Sequence, residues 1–296
     1  MKCIVFGGGA EKGISYIGAL KFLEEKNIIK DIECYYGTSI GSVISTLISI
    51  GYTSLELKYC ITKLKLEELL PIENLDLQDL FEFYGFIEPL KLFRLITLLM
   101  EKKTSISNLT FKQHYEFCKK KLYITGSCLT NFKCYYFNKT DNPDMLIIDA
   151  IKISTSIPFV FRPVKYNDMY YVDGSLYDNY PIFNANKNYD ISEILGFLIL
   201  LDTNQIHNIV DFESFVQGFI KSLDVKFNYL PTHLYKDFTV FINVQKKYSI
   251  ETDNKIVDQY IELGYIAMKN YYESNKHRFN KLTIKMDKID LKDILL

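Results

Sequence analysis

The first fifty residues switch twice between a short apolar run and a helical period. Residues 2–6 (KCIVF) end at Gly7, and residues 14–26 then place Tyr16, Ile17, Leu20 and Leu23 at helical spacing. A second run, 32–36, precedes Ile40, Val43, Ile44, Leu47 and Ile48 at i, i+3, i+4, i+7 and i+8, with Gly51 placed as a helix stop. This predicts β-α-β-α, hence parallel strands with covering helices. Residues 53–105 read as helical with breaks at Pro71 and Pro89, and 122–128 (LYITGSC) and 133–137 (KCYYF) as strands around a turn at Asn131. Residues 144–155 read as a helix ended by Ile157-Pro158, and 170–172 as a strand running into Asp173-Gly174. The run 194–201 (ILGFLILL) has the continuous apolar character of a buried central strand, followed by helices over 211–230 and 253–274 around a strand at 238–244. No repeat and no linker composition interrupts the chain. The expected fold class is α/β, three layers with a mostly parallel central sheet and added helices.

Composition narrows the function classes. With 296 residues, 48% hydrophobic and 24% charged, the chain can bury a sizeable core. A formal net charge of -1 gives no global field to recruit nucleic acid, so no nucleic-acid partner is expected. The six cysteines form no CxxC pair, and the four histidines have no metal-ligand spacing. Neither a metal nor another cofactor is expected. The opening MKCIVFGGG is too short in apolar residues for a signal-peptide core, and no window reaches the ~18 apolar residues of a membrane span. An intracellular protein, at most peripheral to membranes, is the expectation.

Candidate chemistry lies at three strand ends. The second strand breaks into Gly37-Thr38-Ser39-Ile40-Gly41 before a helix, the layout of a nucleophile elbow. Only small residues fit two before and two after a serine on such a turn, and the helix start favours a developing negative charge beside Ser39. The first strand runs into Gly7-Gly8-Gly9-Ala10-Glu11-Lys12-Gly13, a loop of exposed N–H groups suited to a phosphate or to an oxyanion. Its frame is imperfect for a dinucleotide site, and Lys12-Gly13-Ile14 has the wrong order for a P-loop, so the oxyanion reading fits its surroundings best. The third strand end carries Asp173-Gly174, where open α/β sheets keep their sites. A Ser-His-Asp arrangement using His233 has an acceptable chain order, but several strands precede the nucleophile in that fold and Ser39 follows only the second.

These three segments, in this order, resemble the patatin-like phospholipase family. The glycine loop ending in Lys12-Gly13, the GxSxG elbow and Asp173-Gly174 match the family's motifs, and "SYIGALKFLEE", "DAIKISTSIPFVFRPV" and "YVDGSLYDNYPI" match its flanks. The match runs over residues 2 to about 185, so 1–185 is expected to be the catalytic region and 186–296 the remainder of the same domain. The resemblance implies a lipid acyl hydrolase with a Ser-Asp dyad. Ser39 is then the nucleophile, Asp173 the base, and the N–H groups of Gly8, Gly9 and Ala10 the oxyanion hole. Gly7, Lys12, Gly13, Gly37, Gly41 and Gly174 support them. The implied partner is a lipid or phospholipid substrate, compatible with peripheral membrane contact. Two positions depart from the family: Ala10 replaces a loop glycine, and Ser175 follows Asp173-Gly174 where the family has Gly or Ala. Residues 89–101 (PLKLFRLITLLME) are expected to form an apolar helix, too short to span a membrane, that either packs into the core or covers the acyl site as a lid.

Overall fold

The computed structural model describes residues 1–63, 69, 77–200, 231–244 and 254–279, with a few positions between 208 and 222. Pro71, His207 and most of the helix expected over 211–230 lie outside them. The chain runs β1 (Cys3–Phe6), α1 (Ser15–Glu25), β2 (Cys34–Gly37), α2 (Ile40–Ser49), α3 (Ser54–Lys63), α4 (Leu77–Phe83), β3 (Gly85–Ile87), α5 (Leu90–Thr104), α6 (Phe111–Cys118) and β4 (Lys121–Cys128). It continues β5 (Lys133–Phe137), α7 (Ile147–Thr155), β6 (Phe159–Phe161), β7 (Val164–Tyr166), β8 (Met169–Asp173), α8 (Ser175–Asp178), α9 (Ile182–Asn186), β9 (Ile194–Leu200), β10 (Thr239–Asn243), α10 (Asn254–Ser274) and α11 (Lys276–Phe279).

The main sheet has the order β10-β9-β1-β2-β4-β8-β7, with β5 also paired to β4. β10, β9, β1, β2 and β4 are mutually parallel, while β5, β7 and β8 join antiparallel. β3 and β6 form a small parallel sheet of their own. Strand periodicity explains why β1 is apolar throughout: Ile4 and Phe6 enter the core on one face, Cys3 and Val5 the core on the other. The first face is covered by α1, α2, α7 and α10, and the second by α9 and its flanks, including Tyr180 and Ile182. No described helix is long and apolar enough to cross a membrane.

The helix expected at 89–101 exists as α5, and of its two readings the structure favours the core-packed one over the lid. Phe93, Ile96 and Met100 are buried in the main core, and the Tyr52 hydroxyl donates to the Leu99 carbonyl at 2.9 Å. These contacts bind one face of α5 to the body of the domain, which removes the basis for a lid.

Helix α1, which follows the glycine loop, meets α10 backbone to backbone. A Cβ added at Gly18 would lie 1.7 Å from the Ile261 carbonyl oxygen, and one at Gly264 would lie 1.7 Å from that of Ser15. Neither obstacle is a side chain that could rotate away. Gly264→Ala is therefore expected to lower the urea midpoint, costing about 1–3 kcal/mol or more through overpacking. Leu263→Ala, at the half-exposed neighbouring position, is expected to leave it nearly unchanged.

Candidate active site

Ser39 stands between β2 and α2 with φ 54° and ψ -126°, a backbone conformation costly for any residue with a Cβ. Its surroundings hold it there. The Ser39 N–H donates to Ser154 Oγ at 2.9 Å, and the Thr38 N–H donates to the Phe6 carbonyl at 3.2 Å. A Cβ at Gly37 would approach the Gly41 carbonyl oxygen to 2.4 Å, and one at Gly41 would approach the Phe6 oxygen to 2.5 Å. The two elbow glycines are thus fixed by close backbone contact.

Asp173 ends β8 fully buried, and the Ser39 hydroxyl donates directly to its Oδ2 at 2.7 Å. Its Oδ1 accepts the Ser175 N–H at 2.8 Å, and its own N–H donates to the Ser156 carbonyl at 2.8 Å. Burial pushes the Asp173 pKa up to about 6, while the hydrogen bonds from the Ser175 N–H, the Ser39 hydroxyl and the Ser175 side chain restrain the rise. Ser175, where the family has Gly or Ala, therefore helps to hold the charged carboxylate. Among the described residues no histidine lies in this contact. His233 is exposed. His114 is buried beside Ser49 Oγ at 2.7 Å, with its pKa lowered by burial to about 4, so it is a neutral core group.

The glycine loop is tied to β9 and α8. The Gly7 N–H donates to the Phe197 carbonyl at 3.0 Å, and the Gly8 N–H donates to both the carbonyl and the side-chain Oδ1 of Asn179, at 3.1 and 3.0 Å. Gly8, expected as an oxyanion donor, thus has its N–H engaged within the protein. The N–H groups of Gly9 and Ala10 have no acceptor among the described residues and lie at solvent-reachable positions. Lys12 is buried at 4% exposure, unlike a solvated helix-start lysine, and Gly13 leaves room for the Ile40 side chain next to the elbow. Gly174 lets β8 approach the Thr125 carbonyl of β4. Ala10 has φ 48°, in the left-handed region. Ala10→Gly is accordingly expected to stabilise the fold by about 1 kcal/mol, read as a small rise in Tm, without loss of function.

Sequence reasoning gave no role to four neighbours that hold this arrangement. Ser154 and Ser156, at the end of α7, bridge Ser39 and Asp173 through the contacts above. Asp178 and Asn179, at the end of α8, reach the other two segments: the Thr38 hydroxyl donates to the Asp178 carbonyl at 3.1 Å, and Asn179 receives Gly8. The Asp178 carboxyl accepts the Tyr136 hydroxyl at 2.6 Å, and burial raises its pKa to about 6. All four lie inside the flanking stretches "DAIKISTSIPFVFRPV" and "YVDGSLYDNYPI", where their polar types amid apolar residues were the available signal.

Fold and geometry together define a class: an open, mostly parallel α/β sheet with a glycine loop, a serine elbow and a buried aspartate converging at strand ends. A family model described as patatin-like phospholipase matches residues 4–186, and the chain belongs to that family. It is 37% identical over 189 residues to a probable lipid hydrolase of Invertebrate iridescent virus 6, covering 63% of each chain. It is 31% identical over 183 residues to an uncharacterized protein of Acanthamoeba polyphaga mimivirus, covering 62% of this chain and 60% of that one. The matches thus span less than two thirds of these relatives' length. Among solved structures, VipD from Legionella pneumophila superposes with a TM-score of 0.62 at 16% identity, over 92% of this chain and 67% of VipD. ExoU from Pseudomonas aeruginosa, in its complex with SpcU, gives 0.55 at 17% identity, over 94% of this chain and 52% of that one. Both share the fold of the chain described here.

Proposed function

We propose that this chain hydrolyses acyl esters of lipids through Ser39 and Asp173, by way of an acyl-enzyme. The observation that carries the reading is the direct 2.7 Å hydrogen bond from the Ser39 hydroxyl to a carboxylate that burial lifts toward neutral pH. A base works best when its pKa lies near the operating pH, and an ordinary aspartate is too weak for the task. As Ser39 Oγ bonds to the ester carbonyl carbon, its proton passes to Asp173 Oδ2. The carbonyl oxygen becomes an oxyanion, received by the N–H groups of Gly9 and Ala10. The carbon–oxygen bond to the alcohol then breaks, and the departing alkoxide takes the proton from Asp173. Water repeats the sequence in the second half: Asp173 takes its proton, the hydroxide oxygen attacks the acyl carbon, and Ser39 leaves with that proton restored. Family membership and the viral relative named as a probable lipid hydrolase support a lipid acyl ester as substrate.

A fluorophosphonate probe tests the reading. It is expected to form a covalent adduct on the peptide carrying Ser39, with no adduct in Ser39→Ala. A folded parent chain that stays unlabelled would turn the reading toward a binding protein that keeps the fold without turnover.

A further inference from the structure

The peptide unit between Gly7 and Gly8 is held at both ends. Its N–H, on Gly8, donates to Asn179 through the backbone carbonyl at 3.1 Å and Oδ1 at 3.0 Å. Its C=O, on Gly7, accepts the Tyr16 hydroxyl at 2.9 Å. In a trans peptide these two groups point in opposite directions, so acceptor and donor on opposite sides oppose rotation of the plane. Glycine on either side would otherwise make this plane the easiest in the loop to flip. Asn179 and Tyr16 are 5% and 0% exposed, so water competes little for either bond. Gly8 also sits as a wedge: a Cβ there would lie 2.3 Å from Asn179 Oδ1 and 3.2 Å from the Ser39 Cβ.

We infer that Asn179 and Tyr16 are positioning residues which lock the Gly7–Gly8 peptide plane, so that the oxyanion is received by the Gly9 and Ala10 N–H groups in a preset orientation. The inference rests on the proposed acyl transfer at Ser39. A hole whose donors are already aimed needs no reorganisation when charge develops, and that is the source of its effect on rate. Neither side chain touches the reacting atoms. Their loss therefore weakens transition-state stabilisation while leaving ground-state ester binding in place.

The test measures turnover of p-nitrophenyl butyrate and the rate of fluorophosphonate labelling by the parent, Asn179→Ala, Tyr16→Phe and the double variant. Asn179→Ala, which keeps the backbone carbonyl that also accepts the Gly8 N–H, and Tyr16→Phe are each expected to lose about tenfold in kcat, with KM within about twofold of the parent. Because both side chains hold one peptide plane, the double variant is expected to lose little more than Asn179→Ala alone. Tyr16→Phe removes a single oxygen and keeps the ring packed, so it answers the question even where Asn179→Ala folds poorly. Additive losses, a change in KM in place of kcat, or a Tyr16→Phe kcat within about twofold of the parent would overturn the lock. If the parent labels at Ser39 and Asn179→Ala labels at the parent rate, the lock alone is wrong. A parent that does not label removes the acyl-transfer reading and the lock with it.

Discussion

Asp173→Asn is expected to abolish most ester turnover while making the protein more stable. An asparagine fits the same space, can accept the Ser175 N–H through its oxygen, and then turns its NH2 toward Ser39 Oγ. The serine proton is left without an acceptor, and the loss of a positioned base costs about a hundred- to ten-thousandfold in kcat. Stability moves in the opposite direction. The folded state raises the Asp173 pKa from 3.8 to about 6, so the folded chain holds the proton more tightly than the unfolded one. The contribution of this group is present in full below about pH 4 and is lost as pH rises through about 6. At pH 7 the ionised, buried carboxylate therefore costs up to about 3 kcal/mol, a cost that asparagine does not incur. Urea unfolding at pH 7.5 and at pH 4 checks this: the advantage of Asp173→Asn should be large in the first and vanish in the second. The same pKa sets a rising limb in the parent's kcat/KM, with activity lost as pH falls through about 6.

Gly41→Ala is the second change with a large expected effect. The added methyl would lie 2.5 Å from the Phe6 carbonyl oxygen and 2.7 Å from that of Gly7, both backbone atoms at the end of β1. No rotamer change relieves this contact, so the elbow and the glycine loop must separate by a few tenths of an ångström or more. The overpacking costs about 1–3 kcal/mol. Ser39 and the loop donors also lose their mutual register, and where the misplacement reaches about 1 Å it is worth up to about a hundredfold in rate. Gly51→Ala supplies the comparison. Gly51 has φ 99° and open space around it, so alanine there brings backbone strain and no collision. Its expected signature is a lower Tm with unchanged kcat; equal activity loss in the two variants would show that the elbow contact is unimportant.

The strand-loop-helix units at the front of the chain were legible because two periods and well-placed glycines agree there. Strand β1 and helix α1 fell within a residue of the expected 2–6 and 14–26, and the serine elbow stands where the sequence placed it. Short elements escaped. Strands β3, β6 and β7 have three residues each, too few to display a period; β3 and β6 owe their existence to each other across a long stretch of chain, and β7 to the hairpin it forms with β8. The amphipathic stretch at 89–101 left core packing and a lid both open, because periodicity reports an apolar face without reporting what that face meets. In the site itself, the contact between Ser39 and Asp173 came from motif order. The engagement of Gly8 by Asn179 did not, because no spacing rule relates a loop N–H to an amide 171 residues later.

Strand β1 lies between β2 and β9, and β9 follows Asp173 in the chain. During synthesis, the glycine loop, Ser39 and Asp173 all leave the ribosome before residues 194–200 do. Until β9 pairs with β1, the Gly7 N–H lacks the Phe197 carbonyl and the loop lacks one of its walls. Contacts of such long sequence separation form late in folding. Pairing of β9 with β1 is thus the step on which the final form of the glycine loop waits, although the loop itself is made among the first residues of the chain.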